Sequence, residues 1–235
     1  MSFLSKLLAF NTQLEATVNN QQQVISRTYQ KSILPLIMGF TLVIIIIDRS
    51  FSMSSDDYSP SRIKAAINAA CEYVRKLVKQ NVQAQISVIS FSNDSKVVVF
   101  PTSTNNFKCI VDGLHSIAID GCTNIGSGLK EAKKLITKFS GENSQIILLT
   151  DGYGDCNVNI SDNLKKTYKT TIDVIGIGGS PSEVNEILLR KIATTDPDGT
   201  SHYRFIKDAH SLEKHYRQLA SGLVWKGNAH GQNKG

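Results

Sequence analysis

Hydrophobic positions in this chain follow two rhythms that take turns. The run from Ile33 to Ile47 is almost unbroken, closes on four consecutive isoleucines and stops at Asp48. Its fifteen residues fall short of the roughly 20 a helix needs to cross a bilayer, and Pro35 and Gly39 interrupt it. The β-branched isoleucines, stiff at χ1, predict a central strand covered on both faces, with a lipid-embedded segment as the alternative. After it, Ser59 offers a helix cap and Pro60 a first helical position, and Ile63, Ile67, Ala70, Val74 and Leu77 recur at helical spacing. "AQISVISF" alternates like a half-covered strand and "KVVVF" reads as the next one. Leu129, Ala132, Ile136 and Phe139 mark another helix, while "SQIILLT" and "TTIDVIGI" read as buried strands. Further helices are expected near Asp162–Tyr168, Ser182–Ala193 and His210–Leu223, with a last strand near His202–Ile206.

This alternation predicts an α/β fold: a doubly wound, mostly parallel central sheet with helices on both faces, Rossmann-like in outline. The domain is expected over residues 40–224. Residues 1–39 read as an N-terminal helical extension, because Leu7, Leu14, Val18 and Ile25 fall at roughly heptad spacing in a stretch rich in Asn and Gln. Docking on the domain or on a partner explains it better than a membrane surface, since only Lys6, Arg27 and Lys31 supply positive charge there. Residues 225–235 are expected to be a disordered tail.

Composition narrows the picture modestly. A chain of 235 residues, 41% hydrophobic, can bury one substantial core. Lys+Arg 26 against Asp+Glu 20 leaves a formal charge of +6, a mild excess, and lysines such as Lys130, Lys133, Lys134 and Lys138 sit at the spacing of a solvated helix face. Arginines do not interleave with aromatic residues in the manner of base-stacking surfaces, so no nucleic-acid partner is expected. The four cysteines, at 71, 109, 122 and 156, show no Cys-x-x-Cys spacing, which argues against zinc and for free thiols in a reducing compartment. The amino terminus has too short an apolar patch for a secretory signal. A cytoplasmic location is therefore expected, without membrane attachment.

In a doubly wound sheet, ligands bind beyond the carboxyl ends of the strands. Three polar segments should reach that rim: Asp48-Arg49-Ser50-Phe51-Ser52, the loop "DGCTNIGSGL" with Thr123, and "TDGYGD" with Asp151. Together they offer carboxylates and hydroxyls only. Oxygen donors of this kind suit Mg²⁺, or Mn²⁺, better than a soft metal. Taken singly, each segment could simply cap the helix that follows it; the three together ask for a common reason.

Asp48-x-Ser50-x-Ser52, then Thr123 after a glycine and cysteine, then Thr150-Asp151-Gly152 after a buried strand, resemble the metal-ion-dependent adhesion site of the von Willebrand factor A domain family. The likeness extends over about residues 40–224 and is similar to stand-alone bacterial members. It implies that Ser50 and Ser52 bind the metal directly, Thr123 directly or through water, and Asp48 and Asp151 largely through waters or as acceptors behind the metal's own ligands. It also implies a non-enzymatic protein-binding module, in which an acidic residue of a partner completes the metal shell. Stand-alone bacterial proteins of this kind often work with ATPases, kinases or phosphatases. By position alone, the His210–Leu223 helix corresponds to one that shifts when some members change affinity. Two residues depart from the family pattern: Phe51 stands where glycine is commonest, as either a partner anchor or a residue folded onto the core, and Cys122 adds a Cβ where backbone freedom is expected.

Rival readings are a metal-dependent phosphoesterase or hydrolase built on Asp48 and Asp151, with Asp120 and Asp155 as spare carboxylates, and a membrane-tethered adhesion domain. Hydroxyl ligands are a poor choice for generating a nucleophile. "GIGGSP", Gly176–Pro181, lacks a complete phosphate-loop motif and reads as a turn. Cys122 and Cys156 read as unreactive neighbours of the site, and the five histidines form no evident triad.

Overall fold

Strand β1, Thr41–Asp48, is the axis on which the domain is built: all residues from Leu42 to Ile47 are fully buried. This computed structural model describes residues 41–139, 143–152, 154 and 156–231. The helical extension expected over 1–39 lies outside those residues. Alternation along β1 sends Val43, Ile45 and Ile47 into one core and Leu42, Ile44 and Ile46 into the other. That is why the segment is hydrophobic without interruption: both of its faces are interior.

The remaining elements are α1 (Arg62–Lys79), β2 (Ala84–Phe91), β3 (Ser95–Ser103), α2 (Phe107–His115), α3 (Ile125–Phe139), β4 (Ser144–Thr150), α4 (Val158–Thr167), β5 (Thr171–Ile177), α5 (Glu186–Ile192), β6 (Tyr203–Ile206) and α6 (Ala209–Gly231). The six strands lie in the order β3-β2-β1-β4-β5-β6. Every neighbouring pair is parallel except β2–β3, which is antiparallel. Helices α1, α2 and α6 pack on one face, and α3, α4 and α5 on the other. The expected mostly parallel, doubly wound architecture is therefore present. Successive strands leave β1 first towards β2 and later towards β4, so the strand order reverses between β1 and β4.

Several local expectations need correction. The alternation of "AQISVISF" predicts one solvated face, yet every residue of β2 is buried, because α2 and α3 cover its opposite faces. Its polar positions are absorbed inside, as where the Ser87 hydroxyl donates to the Val99 carbonyl at 2.7 Å. Helix α1 is capped by Ser61, whose side chain accepts from the Lys64 N–H, rather than by Ser59; Pro60 precedes the helix instead of opening it. Helix α4 starts at Val158, four residues before the expected position, because Asn157 caps it. The segment after β5 is a 3-10 turn at Pro181–Glu183 followed by the short α5, which Asn185 caps. Of the "GIGGSP" stretch, Gly176 and Ile177 end β5 and the rest turns as expected, held by Gly179 N–H donating to Glu183 Oε2 at 3.0 Å.

Helix α6 continues to Gly231. Residues 225–231, expected within a disordered tail, are thus helical, and neither Gly222 nor Gly227 stops the ladder despite low helix propensity. Among the described residues, no helix is long and apolar enough to cross a membrane.

Candidate metal centre

The carboxyl ends of β1 and β4 flank the point where the strand order reverses: β1 ends on Asp48, and Asp151 directly follows β4. Asp48 is fully buried. Its Oδ1 accepts from the Ser50 N–H at 2.9 Å, folding the chain back in an Asx turn. Its Oδ2 accepts from the Thr150 hydroxyl at 2.6 Å. The same Thr150 oxygen accepts from the Gly152 N–H at 3.0 Å, so one hydroxyl locks the first loop to the third. After the turn, Phe51–Ser54 winds as a 3-10 turn whose Met53 is buried in the core. That anchor leaves Ser50 and Ser52 side by side, with their hydroxyl oxygens 3.1 Å apart.

The second loop is stitched to the first through its backbone. Asp120 N–H donates to the Arg49 carbonyl at 2.8 Å and Phe51 N–H to the Gly121 carbonyl at 3.0 Å. The positive φ needed to make this turn falls on Gly121, so Cys122 carries none of the backbone strain expected of it. Its N–H is held by Asn93 Oδ1 at 2.7 Å. The third loop meets the second at Gly154, where an added Cβ would lie 2.5 Å from the Thr123 carbonyl oxygen and 2.7 Å from its methyl carbon. Only a glycine allows that approach. All five candidate residues, Asp48, Ser50, Ser52, Thr123 and Asp151, therefore lie on three loops bound to one another.

The electrostatics of the cluster are unbalanced. Burial pushes the Asp48 carboxyl up to about 6; hydrogen bonds from Ser50 and Thr150 offset part of this, and the nearby charge of Asp151 adds to it. Asp151, 3% exposed, is also raised by burial, against the lowering effect of the Ser52 hydroxyl and the Arg62 guanidinium. Its Oδ2 lies 3.5 Å from Arg62 Nη1, while its Oδ1 is buried with no hydrogen-bond partner. An orphaned buried carboxylate oxygen costs on the order of 1–3 kcal/mol or more. A hard cation beside it would remove that cost, and a donor set of hydroxyl and carboxylate oxygens fits Mg²⁺ or Mn²⁺.

Three contributors escaped the sequence reading. Thr150 was part of the quoted triplet but had no role assigned. Arg62 opens α1 and sits almost buried between Asp57, Asp151 and Glu183; its distance from the motif along the chain hid it. Gly154 gave no signal beyond being a glycine after a strand. Of the proposed spare carboxylates, Asp120 is paired with Arg49 at 2.8 Å, and Asp155 lies outside the described residues. Phe51 does not fold onto the core, being 65% exposed at the rim. Burial pushes the Cys156 thiol up to about 11, which suits an unreactive neighbour.

An open α/β sheet with an oxygen-rich cluster at its switch point defines a Rossmann-like domain that presents a polar site on three loops. More particularly, residues 43–153 match the family model of the von Willebrand factor type A domain, and the fold of the sheet is similar to solved domains of that type. Among curated relatives, the uncharacterized protein YfbK of Escherichia coli is 27% identical over 181 residues, covering 73% of this chain and 29% of that protein. An uncharacterized protein of Borreliella burgdorferi is 26% identical over 153 residues, covering 63% of this chain and 44% of that protein. The chain thus spans less than half the length of either. Similar solved structures include a conserved hypothetical protein, BatB, from Bacteroides thetaiotaomicron, with TM-score 0.61 and 21% identity over 78% of this chain and 98% of that one. The von Willebrand domain of the type V pili tip protein Mfa5 from Porphyromonas gingivalis gives TM-score 0.66 at 13% identity, over 78% and 95% respectively. These likenesses establish the fold.

Proposed function

We propose that the domain is a non-enzymatic, Mg²⁺-dependent protein-interaction module that binds an exposed Asp or Glu of a partner protein. The observation that carries this reading is the buried, unpartnered Asp151 Oδ1 beside the paired hydroxyls of Ser50 and Ser52. Ser50, Ser52 and Thr123 would hold the cation, with Asp48 and Asp151 behind them. When bound, the metal supplies a positive charge only partly neutralised by neutral hydroxyls, and so an attraction for an incoming carboxylate.

The chain's own residues do the rest. Asp48 fixes the Ser50 backbone and, through Thr150, the third loop. Met53 fixes the turn that presents Ser52. Arg62 lies 3.5 Å from one oxygen of Asp151, Oδ2, and leaves the other buried without a partner. Of the two spare carboxylates, the one among the described residues, Asp120, is committed to Arg49, which favours binding over hydrolysis.

Titration calorimetry with MgCl₂ and with MnCl₂ tests the reading. The wild-type chain should bind one ion, and Thr123→Ala should weaken it at least tenfold. Capture of partner proteins from the native host should then be lost on adding EDTA and in Thr123→Ala. If neither ion binds, or if the same proteins are captured with and without chelator, the reading is wrong. Turnover of a phosphoester with Mn²⁺ that Asp151→Ala abolishes would replace it with the hydrolase.

A further inference from the structure

Strand β6 is the last strand of the sheet and pairs only with β5 among the described residues. Its inward side is fixed by two contacts: the His202 carbonyl accepts from the Val174 N–H at 2.9 Å, and the Ile206 carbonyl accepts from the Tyr58 hydroxyl. Because backbone groups alternate sides along a strand, residues 202, 204 and 206 face β5, and residues 203 and 205 face outward. The Tyr203 N–H is taken by the Ser201 hydroxyl at 3.2 Å. The Tyr203 carbonyl and the N–H and carbonyl of Phe205 have no strand partner among the described residues.

Beside this edge lies a cavity of about 400 Å³ between β6 and α6. Helix α6 turns a polar stripe towards it: Ser211, Lys214, His215 and Gln218, at the i, i+3, i+4, i+7 spacing of one helical face. Its apolar residues Leu212, Tyr216 and Ala220 go to the core instead. Arg204, Phe205, Ile206, Lys207 and Asp208 complete the lining. None of the three cations Arg204, Lys207 and Lys214 has an acidic partner among the described residues. One acid, Asp208, lines the groove with them, its Oδ1 accepting from the Ser211 N–H at 2.8 Å, so the cations outnumber it; Glu213 pairs with Arg217 at 3.6 Å. His215 adds a buried Nδ1 without a hydrogen-bond partner.

The two faces of β6 differ. On the α6 side stand Arg204 and Ile206, above the cationic lining; on the other stand Tyr203 and the half-buried Phe205, packed against the second core. A strand added to the edge would place alternate side chains over these two environments.

We infer that the outer edge of β6 and the adjoining groove form a second binding site, which takes an extended peptide segment of alternating acidic and apolar residues as a seventh strand. Acidic side chains meet Arg204, Lys207 and Lys214; the intervening apolar ones lie against the half-buried Phe205, Tyr203 being covered by Arg190. The site needs no metal and is separate from the three-loop cluster, so it stands whether or not that cluster binds Mg²⁺.

The test uses the full chain in EDTA and a fluorescein-labelled acetyl-Thr-Glu-Val-Glu-Val-Glu-Thr-amide, read by anisotropy. Binding is expected, at least tenfold weaker for a peptide of the same composition with its glutamates contiguous, and at least tenfold weaker for the double substitution Arg204→Glu, Lys214→Glu. Amide hydrogen exchange at Phe205 in the wild-type chain should slow on peptide addition, a readout that does not depend on how the variant folds. The inference is overturned if the peptide does not bind, if the contiguous peptide binds equally, or if the double substitution leaves affinity unchanged. Complete displacement by sodium pyrophosphate with no protection at Phe205 would mark a small-anion pocket and overturn it as well.

Discussion

Asp173 and Asp151 are both buried carboxylates on neighbouring strands of the central sheet, and the chain surrounds them in opposite ways. Asp173, near the amino end of β5, has both oxygens matched: Gln145 Nε2 donates to Oδ2 at 2.7 Å and His202 Nδ1 lies 2.8 Å from Oδ1. His202 is in turn braced by Asp196 at 3.1 Å. Asp151, just past the carboxyl end of β4, has one oxygen 3.5 Å from the Arg62 guanidinium and the other without a hydrogen-bond partner. Satisfied buried charges hold a structure in one arrangement; a buried oxygen left open at a strand-order reversal is the mark of a site that waits for something. The contrast predicts that damage at Asp173 is read in stability and damage at Asp151 in binding.

The largest effect is expected at the satisfied cluster. Asp173→Ala should destabilise the fold by about 3–5 kcal/mol, because it strands His202 and Gln145 inside, while Mg²⁺ affinity of the folded protein is unchanged. Urea denaturation and calorimetry measure the two sides. A loss of under about 1 kcal/mol would break the comparison.

Next comes Asp151→Asn. Mg²⁺ affinity should fall about 100-fold, equivalent to about 2.7 kcal/mol, with the melting temperature of the metal-free protein shifted by no more than about 2 °C. Equal Mg²⁺ affinity in variant and wild type would remove Asp151 from the site.

How much of this contrast could be read from the chain is itself instructive. The four isoleucines gave β1 because their character is local, and Asp48, Ser50 and Ser52 were legible because the Asx turn that gathers them spans only a few residues. Thr123 and Asp151 were found through the resemblance of their loops. What stayed hidden depends on contacts between distant segments: Thr150 bonding to Asp48, Arg62 reaching back to Asp151, and Gly154 packed on Thr123. The same reason explains β2, whose alternating pattern could not reveal that helices would cover both faces. His202 and Asp173 look unremarkable in sequence, since their partnership exists only once β5 and β6 lie in register.

A smaller effect, with a built-in discriminator, comes from pH. Hydrogen bonding to Asp173, against the cost of burial, raises His202 from 6.5 to about 9. A raised basic group stabilises the fold fully below about pH 6.5 and loses that contribution as pH climbs through about 9, for a loss of about 2 kcal/mol. Asp48 is raised from 3.8 to about 6: the folded state holds its proton longer than the unfolded chain, so stability falls by about 3 kcal/mol as pH rises from about 4 through 6. Thermal melts should show both windows in EDTA. Saturating Mg²⁺ should erase the lower one, by favouring ionised Asp48, and leave the upper one intact. Two windows equally sensitive to Mg²⁺ would mean that the clusters are not distinct in kind.

The smallest effect on stability belongs to Phe51, and for that reason it sharpens the comparison most finely. The side chain is 65% exposed, while its backbone N–H is already tied to Gly121, so the turn does not depend on the ring. Phe51→Ser should therefore change unfolding free energy by less than about 0.5 kcal/mol and leave Mg²⁺ affinity as it is. An exposed aromatic beside an open site has its value in what it touches from outside, so capture of the metal-bridged partner should weaken about tenfold. A variant that instead lost Mg²⁺ affinity would show that the ring shapes the loop, and the division between a rim built for binding and a cluster built for stability would have to be redrawn at this residue.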